Sequence, residues 1–122
     1  MILVDTSVWI EHFRRNEPRL VEALNLEEVL VHPFVAGELA CGNLRNRSEI
    51  LHYLGHLPSA PSTTHVEVLD FIERRSLSGR GIGYVDVHLL ASTALHGSAG
   101  LWTRDERLAG VARALGLLHD PH

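Results

Sequence analysis

Short apolar runs alternate with longer segments of helical periodicity along the whole chain, with no internal repeat and no low-complexity linker. Runs of about four apolar residues are short enough for strands, whereas positions 6–13 spread apolar side chains over one broad helical face. Strands are therefore predicted at 2–5, 28–31 and 99–103, with a short edge strand in the Pro-rich stretch 57–63. Helices are predicted at 6–13, 18–24, 33–44, 47–55, 65–75 and 84–96, and from a turn at 103 to Gly116.

Two capping-box patterns support the helix starts, one from Thr64 to Glu67 and one from Thr103 to Glu106. The alternation of strands and helices predicts an α/β fold, a parallel sheet with helices on both faces. In such sheets ligands bind at the carboxyl ends of the strands. Side chains that follow a strand directly are therefore the first candidates for a functional site.

Length and composition indicate one cytoplasmic domain. The 122 residues suffice for a single core, and no apolar run approaches the roughly 18 residues of a membrane span. The first residues enter a strand without a signal-peptide pattern. The lone Cys41 is expected to be a buried, inert thiol. All 11 basic residues are Arg, which excludes the chemistry of a Walker lysine or a Schiff-base lysine.

Two carboxylates follow predicted strands, Asp5 after the first and Asp105 after the strand at 99–103. The carboxyl ends of parallel strands share one edge, so these two side chains converge if the strands are neighbours. Each has an equally good local explanation, because Asp is favoured at helix N-termini. Thr6 and Ser7 can cap the first helix instead, which leaves the Asp5 carboxylate free.

Glu38 and Asp86 are not explained by capping. Each stands alone in an apolar helical stretch, VAGELACG for Glu38 and YVDVHLLAS for Asp86. Helices so apolar are expected to be mostly buried, and an unpaired buried carboxylate is costly. An Arg partner would explain either residue alone, but four such acids favour a shared cation. Carboxylates without Cys or His ligands suit Mg²⁺ or Mn²⁺ rather than Zn²⁺.

The histidines and tryptophans are not expected at this site. His52 and His56 share a helix face at the spacing of a zinc motif, but its glutamate is absent. These two, together with His119 and His122, are interpreted as surface residues, and His88 faces away from Asp86 along its helix. Trp9 and Trp102 are expected in the core. For phosphate contacts, Arg80 is the first candidate and Arg104 or Arg107 the next.

The four acidic stretches, VDTSVWIE, VAGELACG, GIGYVDVHLLAS and LWTRDERLAG, occur here in the order and spacing of the PIN domain. The chain resembles in particular the short VapC toxins of bacterial toxin–antitoxin pairs. The resemblance implies a three-layer α/β/α sandwich with strand order 3-2-1-4-5 over residues 1–122. It also implies a metal-dependent endoribonuclease that dimerises and is inhibited by a small antitoxin. Asp5, Glu38, Asp86 and Asp105 match the acidic quartet, and Thr6 and Thr103 match supporting hydroxyl positions.

Three alternatives remain. A catalytically inactive PIN-like domain that binds RNA or serves as a scaffold would keep the fold without cleavage. A response-regulator receiver also has an acidic magnesium pocket, but it needs a lysine and a second acid beside the first. A nucleotide-binding module could use SGRGIGY, although that stretch follows a helix rather than a strand.

Overall fold

A computed structural model describes residues 1–121 and contains three strands and seven helices in that range. The strands are β1 (Ile2–Val4), β2 (Val29–Leu30) and β3 (Gly100–Trp102). The helices are α1 (Thr6–Arg15), α2 (Pro18–Asn25), α3 (Pro33–Cys41), α4 (Arg47–His56), α5 (His65–Arg75), α6 (Tyr84–His96) and α7 (Glu106–Ala114).

The sheet is parallel and β1 is its central strand. Ile2 pairs with Val29 of β2 on one side and with Gly100 of β3 on the other, so the order is β2-β1-β3. All three strands are apolar and almost fully buried, as expected for a parallel sheet covered on both faces. The carboxyl ends of β1 and β3 are neighbours, because the backbone N–H of Asp5 donates to the carbonyl of Trp102 at 2.9 Å.

The prediction of five strands is wrong, because residues 1–121 contain three strands. The two outer positions are single parallel bridges, Val31 to Ser59 and Leu101 to Leu118. Pro58 and Pro61 flank Ser59 and have no N–H to donate, so pairing cannot extend along that edge. The sheet therefore has three strands, with one bridge beyond each of its edges.

Helices cover both faces of the sheet, as right-handed crossovers require. The chain moves from β1 to β2 in one direction and returns past β1 to β3, which places α1–α4 and α5–α7 on opposite faces. Their packing agrees, since α1 contacts α3 and α3 contacts α4, whereas α5 contacts α6 and both α6 and α7 contact β3. Trp9 and Trp102 are buried in the core between them, as predicted.

Several local predictions need correction. Cys41 is exposed at the end of α3 rather than buried, because α3 ends there on the surface. The last helix begins at Glu106 with Asp105 as its N-cap, so Thr103 does not form the predicted capping box. His52 and His56 are exposed as predicted and His119 is half-buried, while His122 lies outside the described residues. None of the helices in residues 1–121 is long and apolar enough to cross a membrane.

Candidate active site

Asp5 lies at the carboxyl end of β1 and is 8% exposed. It is the N-cap residue of α1, but its side chain accepts no capping hydrogen bond. Its Oδ2 instead accepts hydrogen bonds from the hydroxyls of Ser7 and Thr103, each at 2.7 Å. The carboxylate is therefore fixed by side chains from two segments and is not used to start the helix. Neither Thr6 nor Ser7 caps α1 through its hydroxyl; they bond to Glu38 and Asp5.

Thr103 connects the ends of the two neighbouring strands. Its hydroxyl donates to Asp5 and accepts from the backbone N–H of Asp105 at 3.1 Å. Asp105 in turn caps α7, since its Oδ1 accepts from the N–H groups of Arg107 and Leu108 at 2.9 and 3.1 Å. The capping explanation for Asp105 is thus correct for one of its oxygens. The other oxygen has no hydrogen-bond partner among residues 1–121.

Ser7 is a further site residue, although the sequence indicates it only as a cap for the first helix. Its hydroxyl donates to Asp5 and accepts from the backbone N–H of Arg104 at 3.0 Å. It also lies 3.4 Å from the hydroxyl of Thr103. The signal in the sequence is its position two residues after Asp5 in the first turn of a helix, where the side chain can reach back to the strand end.

Asp86 stands in the first turn of α6 and is half-buried. Burial raises the pKa of its carboxyl, the hydrogen bond from the N–H of Gly83 opposes that increase, and the charges of Asp5, Asp105 and Glu38 raise it further. Gly83 is the N-cap residue of α6 and its bond to Oδ2 is 3.1 Å long, so one oxygen of Asp86 does take part in capping, contrary to the prediction. The three other acids are therefore close enough to act electrostatically on Asp86, which brings all four predicted acids into one region.

Glu38 is exposed, so the prediction that it is buried is wrong. Its helix, α3, carries apolar side chains on more than one side, because one side packs on the core and another faces a shallow surface groove. Phe34 and Cys41 of α3 and Tyr84 of α6 line this groove together with Glu38. Glu38 is held at the site by Thr6, whose hydroxyl donates to Oε1 at 2.7 Å.

The four acids share one pattern of bonding. One oxygen of each carboxylate accepts a hydrogen bond from the chain, and the other has no hydrogen-bond partner within the described range. As they stand, no group of three or more His, Cys, Asp or Glu side chains in residues 1–121 is arranged to hold a metal ion. The polar side-chain atoms of the four acids and of the hydroxyl residues that bond to them are all oxygens, and oxygen ligands suit a hard cation such as Mg²⁺ or Mn²⁺.

The candidate phosphate-binding arginines are all exposed. Arg80 lies in the loop between α5 and α6, and Arg104 and Arg107 flank Asp105. Of the three, Arg107 packs closely against the loop before α6, since a methyl group added to Gly81 would lie 3.1 Å from its Cδ and its Nη1. The role of Arg80 stays a prediction.

Comparison with known proteins agrees with this architecture. The family model described as PIN domain matches residues 2–114. Ribonuclease VapC32, from two strains of Mycobacterium tuberculosis, is 51% identical over 117 residues, which is 96% of this chain and 94% of that protein. The crystal structure of FitAcB from Neisseria gonorrhoeae has a TM-score of 0.62 at 22% identity, covering 93% of this chain and 94% of that one, and supports the fold alone. This chain belongs to the PIN-domain family and, within it, to the VapC-type toxins.

Proposed function

We propose that this protein is a metal-dependent endoribonuclease that hydrolyses RNA phosphodiester bonds. The ribonuclease assignment follows the name of its relative Ribonuclease VapC32, which is 51% identical over almost the whole chain. The observation that carries the metal dependence is the bonding of the four acids. Each is fixed through one oxygen, and each keeps the other without a partner among residues 1–121.

The raised pKa of Asp86 supports a cation at this site. Burial is the main cause of the increase, and the negative charges of the three neighbouring acids add to it. Carboxylates that repel each other in this way are stabilised when a cation neutralises them. Asp5, Asp86 and Asp105 are proposed to hold the ion, directly or through water.

A bound Mg²⁺ or Mn²⁺ would lower the pKa of a water molecule and neutralise charge on the phosphate. The chain's own residues supply positioning and proton transfer. Glu38, held through Oε1 by Thr6, keeps Oε2 available either as a ligand or to accept a proton from the attacking water. Thr103 and Ser7 hold Asp5 in one orientation, so that its second oxygen keeps a defined direction.

The proposed partner is an antitoxin that blocks this site, as the VapC-type assignment implies. A groove of about 510 Å³ borders Glu38, and Ile10, Phe13 and Leu39 give it apolar walls while Arg14 and Arg45 lie beside them. This surface suits a peptide segment with apolar and acidic side chains. The protein encoded by the adjacent reading frame should therefore co-purify with this chain and inhibit cleavage.

The test is cleavage of single-stranded RNA by the purified protein with Mg²⁺ or Mn²⁺ and with EDTA. Asp5→Asn and Asp86→Asn should each reduce the rate by at least about 100-fold, because a ligand contributes more than the supporting groups around it. Asp70→Asn is the matched control, since Asp70 is exposed on α5 and pairs with Arg74 at 2.8 Å. Circular dichroism checks that all variants are folded.

The alternative is a PIN-like domain that binds RNA or serves as a scaffold without cutting. It predicts RNA binding with no cleavage under any divalent ion. Cleavage by Asp5→Asn at the wild-type rate would show instead that the enzyme is active but the four acids are not its site. Activity that survives EDTA would show that the metal is not required.

A further inference from the structure

The side chain of Arg107 lies where a side chain at Gly81 would point. Gly81 has a φ of 81°, the left-handed region that glycine adopts without strain. A methyl group at this position would lie 3.1 Å from both Cδ and Nη1 of Arg107 and 3.6 Å from Nε. The absence of a side chain at Gly81 therefore leaves room for the Arg107 side chain beside the loop that leads into α6.

This contact places a cation between two acidic segments. The loop continues to Gly83, whose N–H holds Asp86, and the backbone N–H of Arg107 itself donates to Asp105 at 2.9 Å. Arg107 is nevertheless exposed, and it forms none of the ion pairs found within residues 1–121, which involve Arg15, Arg74 and Arg113. Its charge remains available to a ligand that comes to the site.

We propose that Arg107 binds a phosphate group of the RNA substrate beside the four carboxylates. The inference rests on the proposed ribonuclease function and names one residue that binds the substrate there. RNA is a polyanion, and this protein carries a formal charge of −4, so local positive charge is needed at the site. A guanidinium offers two parallel N–H donors to phosphate oxygens, which a single ammonium cannot.

Its packing distinguishes Arg107 from the other two candidates. Contact with the Gly81 backbone restricts the side chain before any ligand binds, and less conformational entropy is then lost on binding. Arg80 and Arg104 are exposed, and no side-chain hydrogen bond or ion pair within residues 1–121 orders either of them. Arg107 is therefore the arginine most ready to receive a phosphate.

The experiment measures binding of a short fluorescein-labelled single-stranded RNA of mixed sequence by anisotropy in Mg²⁺, over a series of salt concentrations, with every variant made in the Asp86→Asn protein so that the RNA is not cut during the measurement. Cleavage of the same RNA is followed separately. The variants are Arg107→Gln, Arg107→Lys and the control Arg113→Gln, which removes an exposed arginine from the same helix. Gly81→Ala is added to displace the guanidinium while keeping its charge, and thermal melting checks its fold.

Arg107→Gln should weaken RNA binding about tenfold and reduce the slope of log affinity against log salt by roughly 0.7, the value for one phosphate contact on a single strand. Arg107→Lys should keep the slope and recover part of the affinity, and Arg113→Gln should match the wild type. Equal losses at Arg107 and Arg113, or no loss at Arg107, would overturn the inference. If RNA binds in a way that depends on Arg107 but is never cleaved, the proposed ribonuclease function is wrong and the inference about Arg107 still holds.

Discussion

The hydroxyl of Thr103 donates a 2.7 Å hydrogen bond to Oδ2 of Asp5, 98 residues away along the chain. The same hydroxyl accepts from the N–H of Asp105, so one side chain connects two of the four acids. Ser7 makes the parallel connection from Asp5 to the N–H of Arg104. The two hydroxyls therefore fix the turn after β3 relative to the end of β1.

Thr103→Val should leave the fold intact and reduce RNA cleavage by about 10- to 100-fold, the usual cost of losing a group that orients a ligand. The free energy of unfolding should fall by roughly 1–3 kcal/mol, because a hydrogen bond to a charged group is lost. Ser7→Ala should also reduce the cleavage rate and the free energy of unfolding. Initial rates measure the effect of each variant on cleavage, and urea unfolding measures its effect on stability.

Thr93→Val is the matched control for this prediction. Thr93 is buried in α6 and its hydroxyl donates to the carbonyl of Leu89 at 2.7 Å, within its own helix. The Thr93→Val variant measures how much activity and stability change when a threonine hydroxyl that is distant from the four acids is removed. Thr103→Ser should restore most of the activity, and a rate for Thr103→Val equal to that of Thr93→Val would contradict the positioning role.

The carboxyl of Asp86 should titrate above the ordinary range for aspartate. Burial raises its pKa most, the Gly83 N–H lowers it, and Asp5, Asp105 and Glu38 raise it again. Asp5→Asn removes one of those charges and should lower the pKa of Asp86, as followed by ¹³C NMR of the side-chain carboxyl. Asp70→Asn should leave it unchanged. No response to Asp5→Asn would mean that the two acids are not coupled.

The same titration should make the proposed metal binding dependent on pH. Only the ionised carboxylate is a good ligand, so lowering the pH through the raised pKa of Asp86 should weaken Mg²⁺ or Mn²⁺ binding. Calorimetric titration of Mn²⁺ at several pH values measures this, and proton release on binding should increase as the pH falls through that pKa. An affinity that stays constant as the pH falls would argue against Asp86 as a ligand.

The sequence was informative where a residue's neighbours along the chain decide its position. Asp5 and Asp105 each follow a predicted strand, so their position at one edge of the sheet follows once these strands are neighbours, as the resemblance implied and the parallel pairing of β1 and β3 shows. The start of α5 at His65 was also predictable, because the capping box from Thr64 to Glu67 is local and both of its hydrogen bonds form.

Predictions failed where they depended on packing between distant segments. The apolar composition around Glu38 indicated burial, but composition cannot tell a core-facing side of a helix from one that lines a surface groove. The outer strands are single bridges, at Ser59 and at Leu118, and prolines beside Ser59 limit the pairing on that edge. The sequence indicates Ser7 only as a cap for α1, since nothing local shows that the N–H of Arg104 approaches it.

His32 should make the protein less stable at mildly acidic pH. It is the N-cap of α3, and its Nδ1 accepts from the N–H of Phe34 at 3.0 Å, which requires a neutral ring. Burial, and then the charge of nearby His88, lowers its pKa from 6.5 to about 4. Between those values the unfolded chain binds a proton that the folded protein does not, so stability falls as pH drops from about 6.5 to about 4.

Urea unfolding at a series of pH values measures this effect. His32→Asn keeps a favourable capping side chain and cannot titrate, so it should flatten the dependence although it leaves a smaller side chain in the core. His52→Asn, at an exposed position of α4, should keep the wild-type slope. A slope that His32→Asn does not change would assign the acid sensitivity to other groups.

The final segment of the chain depends on the absence of a side chain at Gly100. His119 donates its N–H to the carbonyl of Leu101 at 2.8 Å, and Leu101 donates to the carbonyl of Leu117 at 2.7 Å. A methyl group at Gly100 would lie 2.9 Å from Cβ and 3.1 Å from N of His119. Gly100→Ala should therefore push the segment off β3 and lower the free energy of unfolding by about 1–3 kcal/mol.

Gly110→Ala is the control for Gly100→Ala and should change stability in the opposite direction. Gly110 lies in the middle of α7, and a methyl group there would meet no atom within 4 Å. Alanine is favoured over glycine in a helix by about 1 kcal/mol, so this variant should be more stable than the wild type. Thermal melting of the two variants separates the effects, because both make the same chemical change. If Gly100→Ala melted at or above the wild-type temperature, the bridge at Leu118 would not depend on the close approach of His119 to β3.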